Sequence, residues 1–187
     1  MEGKTVYFEE PGTGNTDETL RIARARADEM GINTIIVATT GGDTALKAVD
    51  VFKGMKVIAV THSTGMREPN YQEVPDDVRQ QIEDKGGIVL TTNHAFMGIS
   101  AAVRKKFSTY LVGDIVASSL RIFGAGTKVA CEVSMMAADA GLVRTDEDAI
   151  AIGGTHRGAD TALVLKPVNT TDFFDMQVRE FLCKPHF

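Results

Sequence analysis

Four short stretches hold most of the residues able to do chemistry: "EEPGTGNT" (Glu9 to Thr16), "TTGGDT" (Thr39 to Thr44), "THSTG" (Thr61 to Gly65) and "TTNHA" (Thr91 to Ala95). Each supplies hydroxyls, glycine backbone or histidine and hardly any bulky apolar side chain, so together they offer many hydrogen bonds to a ligand. In the second stretch, Gly41 and Gly42 let the backbone come close to a ligand. Thr40, Thr44 and the free amides of a following helix can then donate to phosphate oxygens. Asp43 puts a carboxylate near such an anion; it either caps the helix or pairs with Lys47, four residues on. Threonine and glycine are also common wherever a strand turns into a helix, and a site is indicated only by the coincidence of four such loops.

The intervening elements decide whether these loops meet. Thr5 to Glu9 reads as a strand, and Asn15 with Glu18 as a capping box opening a helix to about Met30, stopped by Gly31. A strand at Thr34 to Thr39, a helix from about Gly42 to Phe52 and a strand at Lys56 to Thr61 follow. Pro75 suits a first helical turn and Gly86 a stop, which leads to a strand at Gly87 to Thr92. From Asn93 to Phe123 the pattern is helical but irregular, and a cleaner helix runs from about Gly126 to Ala140. "AIAIGG" and "TALVLKPV" read as strands joined by the polar loop "THRGAD". The whole predicts one three-layer α/β/α domain, residues 1–187, with a mostly parallel sheet and a helical insert at about 93–123. Right-handed connections place every strand-to-helix loop on one sheet edge, where open α/β folds bind their ligands.

Charge excludes some partners. With 25 acidic against 20 basic residues, a net charge of −5 and no long Lys/Arg block, no nucleic-acid partner is expected. Cys131 and Cys183 form no Cys-x-x-Cys pair, and "MEGKTVYFEE" has no apolar signal region or membrane span. The expectation is a reduced, soluble, cytoplasmic protein without a membrane partner.

"IIVATTGGDTALKAV" followed by "KVIAVTHSTG" resembles the C-terminal α/β domain of pyruvate kinase, with its strand, threonine- and glycine-bearing loop, helix and next strand. "DAIAIGGTHRGADTALVLKPV" is similar to the last hairpin of that domain. The resemblance implies a sheet of about five to six strands, mostly parallel, with an antiparallel last strand. It also implies an effector site: Thr39, Thr40, Gly41, Gly42, Asp43 and Thr44 correspond to the loop that holds a sugar phosphate, and Thr155 to Asp160 to the loop that closes on the effector. Two departures, Gly41 in place of a serine and Asp43 at an often basic or neutral position, speak against fructose bisphosphate. That domain is not the catalytic part of pyruvate kinase and the barrel is absent, so pyruvate kinase activity is not expected.

The chain resembles more closely small archaeal-type proteins built from this domain alone, and that likeness implies flavin mononucleotide (FMN) as cofactor, with its phosphate on the Thr40 to Thr44 turn. The candidate contacts are Gly12, Thr13 and Asn15; Thr39 to Thr44; Thr61, His62 and Ser63; Thr92 and Asn93; and Thr155, His156 and Arg157. Phe96, Met97 or Tyr71 are guesses for the ring. The alternative is a regulatory module sensing a sugar phosphate or other phosphorylated metabolite. An enzyme using His62, His94 or His156 as acid or base is a third reading, for which no nucleophile and base pair is legible. If FMN binds, an oxidoreductase is the class of enzyme that follows. The three histidines lack short metal-ligand spacing, so no metal is assigned. "GAGTK" (Gly124 to Lys128) reads as a helix start, "RKK" (Arg104 to Lys106) as an exposed helix face and Cys131 as a buried structural thiol. The apolar "AFMGISAAV" suggests a contact surface of a homo-oligomer.

Overall fold

The runs "TIIVA" and "KVIAV" become strands because branched side chains suit a pleated ribbon whose two faces are both covered. The computed structural model describes residues 3–186. Its sheet comprises β1 (Val6–Phe8), β2 (Thr34–Ala38), β3 (Lys56–Val60), β4 (Ile88–Leu90), β5 (Ala149–Gly153), β6 (Thr161–Lys166) and β7 (Gln177–Pro185), in the order β1-β7-β6-β5-β2-β3-β4. β5, β2, β3 and β4 pair in parallel, and β6 runs against both of its neighbours. β7 lies beyond the expected strands: it returns alongside β6 and pairs in parallel with β1, which fixes β1 at the sheet edge.

Helices α1 (Thr16–Met30), α2 (Asp43–Val51) and α3 (Asp76–Asp84) cover one face, and α6 (Ala125–Asp139) covers the other. Strand alternation divides the core between them. Ile35, Val37, Ile150 and Ile152 join Leu20, Ala45 and Phe52 on the first face. Ile36, Ile58 and Val60 meet Val133 and Met136 of α6 on the second. The irregular insert forms α4 (Gly98–Phe107) and α5 (Val112–Arg121), and α5 packs on the outside of α6. That sandwiching explains why α6 is buried from Gly126 to Ala138 except at half-buried Val129 and presents no exposed polar stripe over that span.

Boundaries follow local chemistry with two corrections. Gly31 ends α1 in the left-handed region at φ 67°, as expected. The capping box does not form: Asn15 closes a short 3-10 turn and its side-chain Nδ2 donates to the Glu10 carbonyl at 2.7 Å. Pro75 occupies the N-cap of α3 in extended conformation and is not in its first turn.

The sheet face beneath α6 is made small by Ala149, Ala151 and Gly153, so the helix approaches closely. A Cβ on Gly153 would lie 2.4 Å from the Gly126 carbonyl oxygen and 2.9 Å from the Ala130 amide nitrogen. Gly153→Val is therefore predicted to lower stability by roughly 1–3 kcal/mol through overpacking. Urea denaturation measures this, and an unchanged midpoint would show that the contact does not set the helix-to-sheet distance.

Candidate functional site

The loop after β2 builds its own anion cradle. Thr39 continues the sheet by donating its amide to the Val60 carbonyl at 2.9 Å, and its hydroxyl accepts the Gly42 amide at 3.1 Å. Gly42 sits at φ 100°, a conformation that L side chains rarely adopt, and no side chain caps α2. The first amides of α2 are thus left for a ligand. They border a cavity of about 160 Å³ lined by Thr13, Thr16, Thr40, Thr44, Lys47 and Arg157 among others. Asp43 also lines it, but Lys47 pairs with Asp17 at 2.6 Å and not with Asp43.

The β5–β6 loop is fastened over this cavity by one buried carboxylate. Asp160 accepts the Gly12 and Thr155 amides, each at 3.0 Å, and the Thr161 hydroxyl at 2.8 Å. Thr16 accepts the Ala159 amide at 3.0 Å, and a Cβ on Gly158 would meet the Thr13 Cα at 2.7 Å. The loop therefore seats directly on the turn before α1, with His156 held at φ 65° and Arg157 at the rim.

A second cavity, of about 220 Å³, adjoins the first and shares Thr39, Thr40, Thr44 and Gly158 with it. It lies over the ends of β2, β3 and β5 and is lined by His62, His94 and His156, by Arg121, Lys128 and Glu132, and by Val60, Met66, Met97 and Val129. Lys128 donates to Glu132 one turn along α6, and both are buried. Glu132 Oε1 accepts the Phe96 amide at 3.1 Å, and His94 Nδ1 stands 3.6 Å from Oε2, the oxygen that Lys128 binds, beyond hydrogen-bonding distance. Burial alone would raise the Glu132 carboxyl, but His94 and Lys128 outweigh it and bring it down to about 2. His62 Nδ1 lies 2.5 Å from Glu73, which also binds Arg67 at 2.7 Å, and the His62 and His94 rings are 5.5 Å apart.

Of the candidates read from sequence, Thr13, Thr39, Thr40, Gly41, Asp43, Thr44, Thr61, His62, His156 and Arg157 line one or both cavities. Gly12, Gly42 and Thr155 act through backbone bonds that shape the loops, Ser63 donates its amide to His94 Nε2 at 3.4 Å, and Asn15 binds Glu10. Thr92 and Asn93 face a separate groove outside His94 and Met97. Met97 lines the central cavity, whereas Phe96 is buried near Lys128 and Tyr71 is exposed. Glu73, Arg121, Lys128 and Glu132 escaped the sequence reading; the i,i+4 spacing of Lys128 and Glu132 was the one available signal. Among the described residues no group of three His, Cys, Asp or Glu side chains is placed to hold a metal ion, and no helix is long and apolar enough to cross a membrane. Burial pushes the Cys131 thiol up to about 12.

A parallel sheet with one reversed strand and a pocketed carboxyl edge defines an open α/β domain. The chain belongs to the pyruvate kinase, alpha/beta domain family, which matches residues 17–165, so β1 and β7 lie outside the matched segment. Among solved structures it is similar to an NH3-dependent NAD synthetase from Campylobacter jejuni, determined in complex with the nitrate ion. The identity is 14% and the TM-score 0.36, over 59% of this chain and 47% of that one. So low a score carries no functional argument.

The Glu132 carboxylate stabilises the fold fully above its ordinary value of 4.5, and this contribution is lost as pH falls towards 2. Lys128→Met leaves the buried carboxylate without its ammonium partner and is predicted to cost roughly 3–5 kcal/mol at neutral pH. Urea midpoints between pH 2 and 7 should show a large deficit near neutrality and a shallower acid decline than in the parent.

Proposed function

We propose that this edge binds a phosphorylated small ligand, with the phosphate on the Thr40 to Thr44 turn, and that the ligand is FMN. The observation that carries the phosphate assignment is the uncapped α2 N-terminus, held open by the Thr39–Gly42 bond and bordered by Lys47 and Arg157. The residues also fit the rest of a flavin nucleotide. Thr13, Thr16 and Thr61 offer hydroxyl partners to a ribityl chain, and Val60, Met66, Met97 and Val129 offer an apolar, polarisable wall to the ring. The bound flavin would supply electron-transfer chemistry, and the chain would hold and orient it.

The visible spectrum of the purified protein, with mass analysis of whatever it releases on denaturation, tests the flavin. Flavin bands and a released mass matching FMN are expected. Thr44→Val and Arg157→Ala should each weaken binding about tenfold, the loss of one hydrogen bond to a charged group. Full affinity in both variants would remove the phosphate from this turn.

A second reading, a module sensing a sugar phosphate or similar metabolite, is favoured by a specific feature. Among the described residues no Phe or Tyr side chain lines either cavity, while the central one carries histidine, lysine, arginine and glutamate. A colourless protein whose melting temperature rises with sugar phosphates would replace FMN with such a ligand.

Self-association is part of the proposal. Ile99, Phe107, Tyr110, Val112, Ile115 and Ile122 of the insert and its flanks are each at least 60% exposed, an apolar surface suited to a second copy of the chain. Sedimentation velocity is expected to show a homo-oligomer, and Ile115→Lys a smaller species; a monomeric parent would exclude this role.

A further inference from the structure

We infer that the central cavity is a proton-transfer site in which His62, oriented by Glu73, enolises a small phosphorylated aldehyde or ketone anchored by its phosphate at the Thr40 to Thr44 turn. The inference rests on the phosphate assignment above and deepens its metabolite reading, since a flavin ring would compete for the same space.

The geometry supplies each part of such a reaction. An ionised carboxylate only accepts hydrogen bonds, so Glu73, 2.5 Å from His62 Nδ1, holds the imidazole proton on that nitrogen and leaves a lone pair on Nε2. Nε2 forms no hydrogen bond to the described residues. Glu73 is itself steadied by Arg67, and its side chain is 9% exposed, while that of His62 is 28% exposed. His62 lines the cavity that shares Thr39, Thr40 and Thr44 with the anion cradle, so cradle and imidazole border adjoining cavities. Arg121 lines the same cavity and provides positive charge for an oxyanion, whereas Lys128, also in the lining, is already paired with Glu132. The second imidazole, His94, lies 5.5 Å from His62 by ring centroid, and its buried Nδ1 lacks a hydrogen-bond partner.

The step balances without a co-reactant. His62 Nε2 takes the proton from the carbon next to the carbonyl, and the C–H pair forms a carbon–carbon double bond. The carbonyl π pair moves to oxygen, where Arg121 offsets the charge. The imidazolium N–H trades its proton with solvent, and the proton it then returns to the same carbon gives exchange; where that carbon bears a hydroxyl, return to the former carbonyl carbon, with the hydroxyl proton passing to the other oxygen, gives isomerisation.

The test is proton exchange in D2O. Full-length protein is incubated with dihydroxyacetone phosphate or glycolaldehyde phosphate, and loss of the signal from the carbon-bound protons beside the carbonyl is followed by NMR. Binding is measured separately by the melting-temperature rise with each probe and with inorganic phosphate. The expected result is protein-catalysed exchange that slows about 100-fold or more in His62→Gln, a typical general-base contribution. Glu73→Gln should slow exchange less, keep the phosphate-induced melting shift and change the His62 tautomer seen by 15N NMR, which a merely structural residue would not do. Probes that bind without exchanging above the buffer rate overturn the inference while leaving the phosphate site intact, as does exchange undiminished in His62→Gln. Protein purified with stoichiometric FMN that blocks both probes also overturns it. No melting shift with any phosphate overturns both the inference and the site it rests on.

Discussion

The functional edge depends on one buried carboxylate. Asp160 is fully buried, and its two oxygens gather donors from three places in the chain: Gly12, Thr155 and Thr161. An ionised carboxylate in such a position is tolerable only because every bond it accepts shares its charge. Removing those donors would leave the charge unsolvated, so the carboxylate enforces their positions. The β1–α1 turn and the β5–β6 loop are thereby locked together, and between them lie Thr13, Thr16, Arg157 and Gly158, one half of the anion cradle. The other half belongs to the β2–α2 turn and is held independently by the Thr39 hydroxyl. The cradle is thus assembled from two self-contained turns whose separation is set by the sheet.

The central cavity is held by a different device. α6 is pressed against small residues of β5 and covered by α5 and by Phe96, so Lys128 on its first turn and Glu132 on its second are held out of solvent. Burying both costs desolvation, and the pairing is stable because Glu132 also accepts the Phe96 amide and faces His94. This fixes the segment leading into α4 against α6. His62 and Glu73 differ: both lie in the long connection between β3 and α3, within reach of solvent through Arg67. One imidazole is therefore held by the rigid core and the other by a surface loop.

How much of this was legible depends on where the physical signal resides. The β2–α2–β3 unit announced itself because buried parallel strands are continuous apolar runs and glycine marks the helix stops. Threonine-rich loops were found because right-handed crossovers must place them on one edge. β7 was not legible: Gln177, Arg179 and Glu180 dilute its apolar alternation, and its place comes from pairing with β6 and β1. The failed capping box has a local cause, since Asn15 finds the Glu10 carbonyl before it can serve α1.

Lys128 and Glu132 show the deeper limit of reading a chain in one dimension. On a helix, Lys and Glu four residues apart are ordinarily a solvated pair of small energetic consequence. Here the same pair is buried, because Phe96 and His94 of the segment leading into α4 lie against it, and that segment opens the insert whose pattern was least regular. The charge that a ligand would meet in the cavity is therefore decided by the packing of the insert, which also contributes His94, Met97 and Arg121 to its lining. Glu73 repeats the point: its meeting with His62 requires the β3–α3 connection to fold back eleven residues along the chain. The phosphate cradle is a local property of the β2–α2 sequence, whereas the ionisable groups beside it are a property of the tertiary fold.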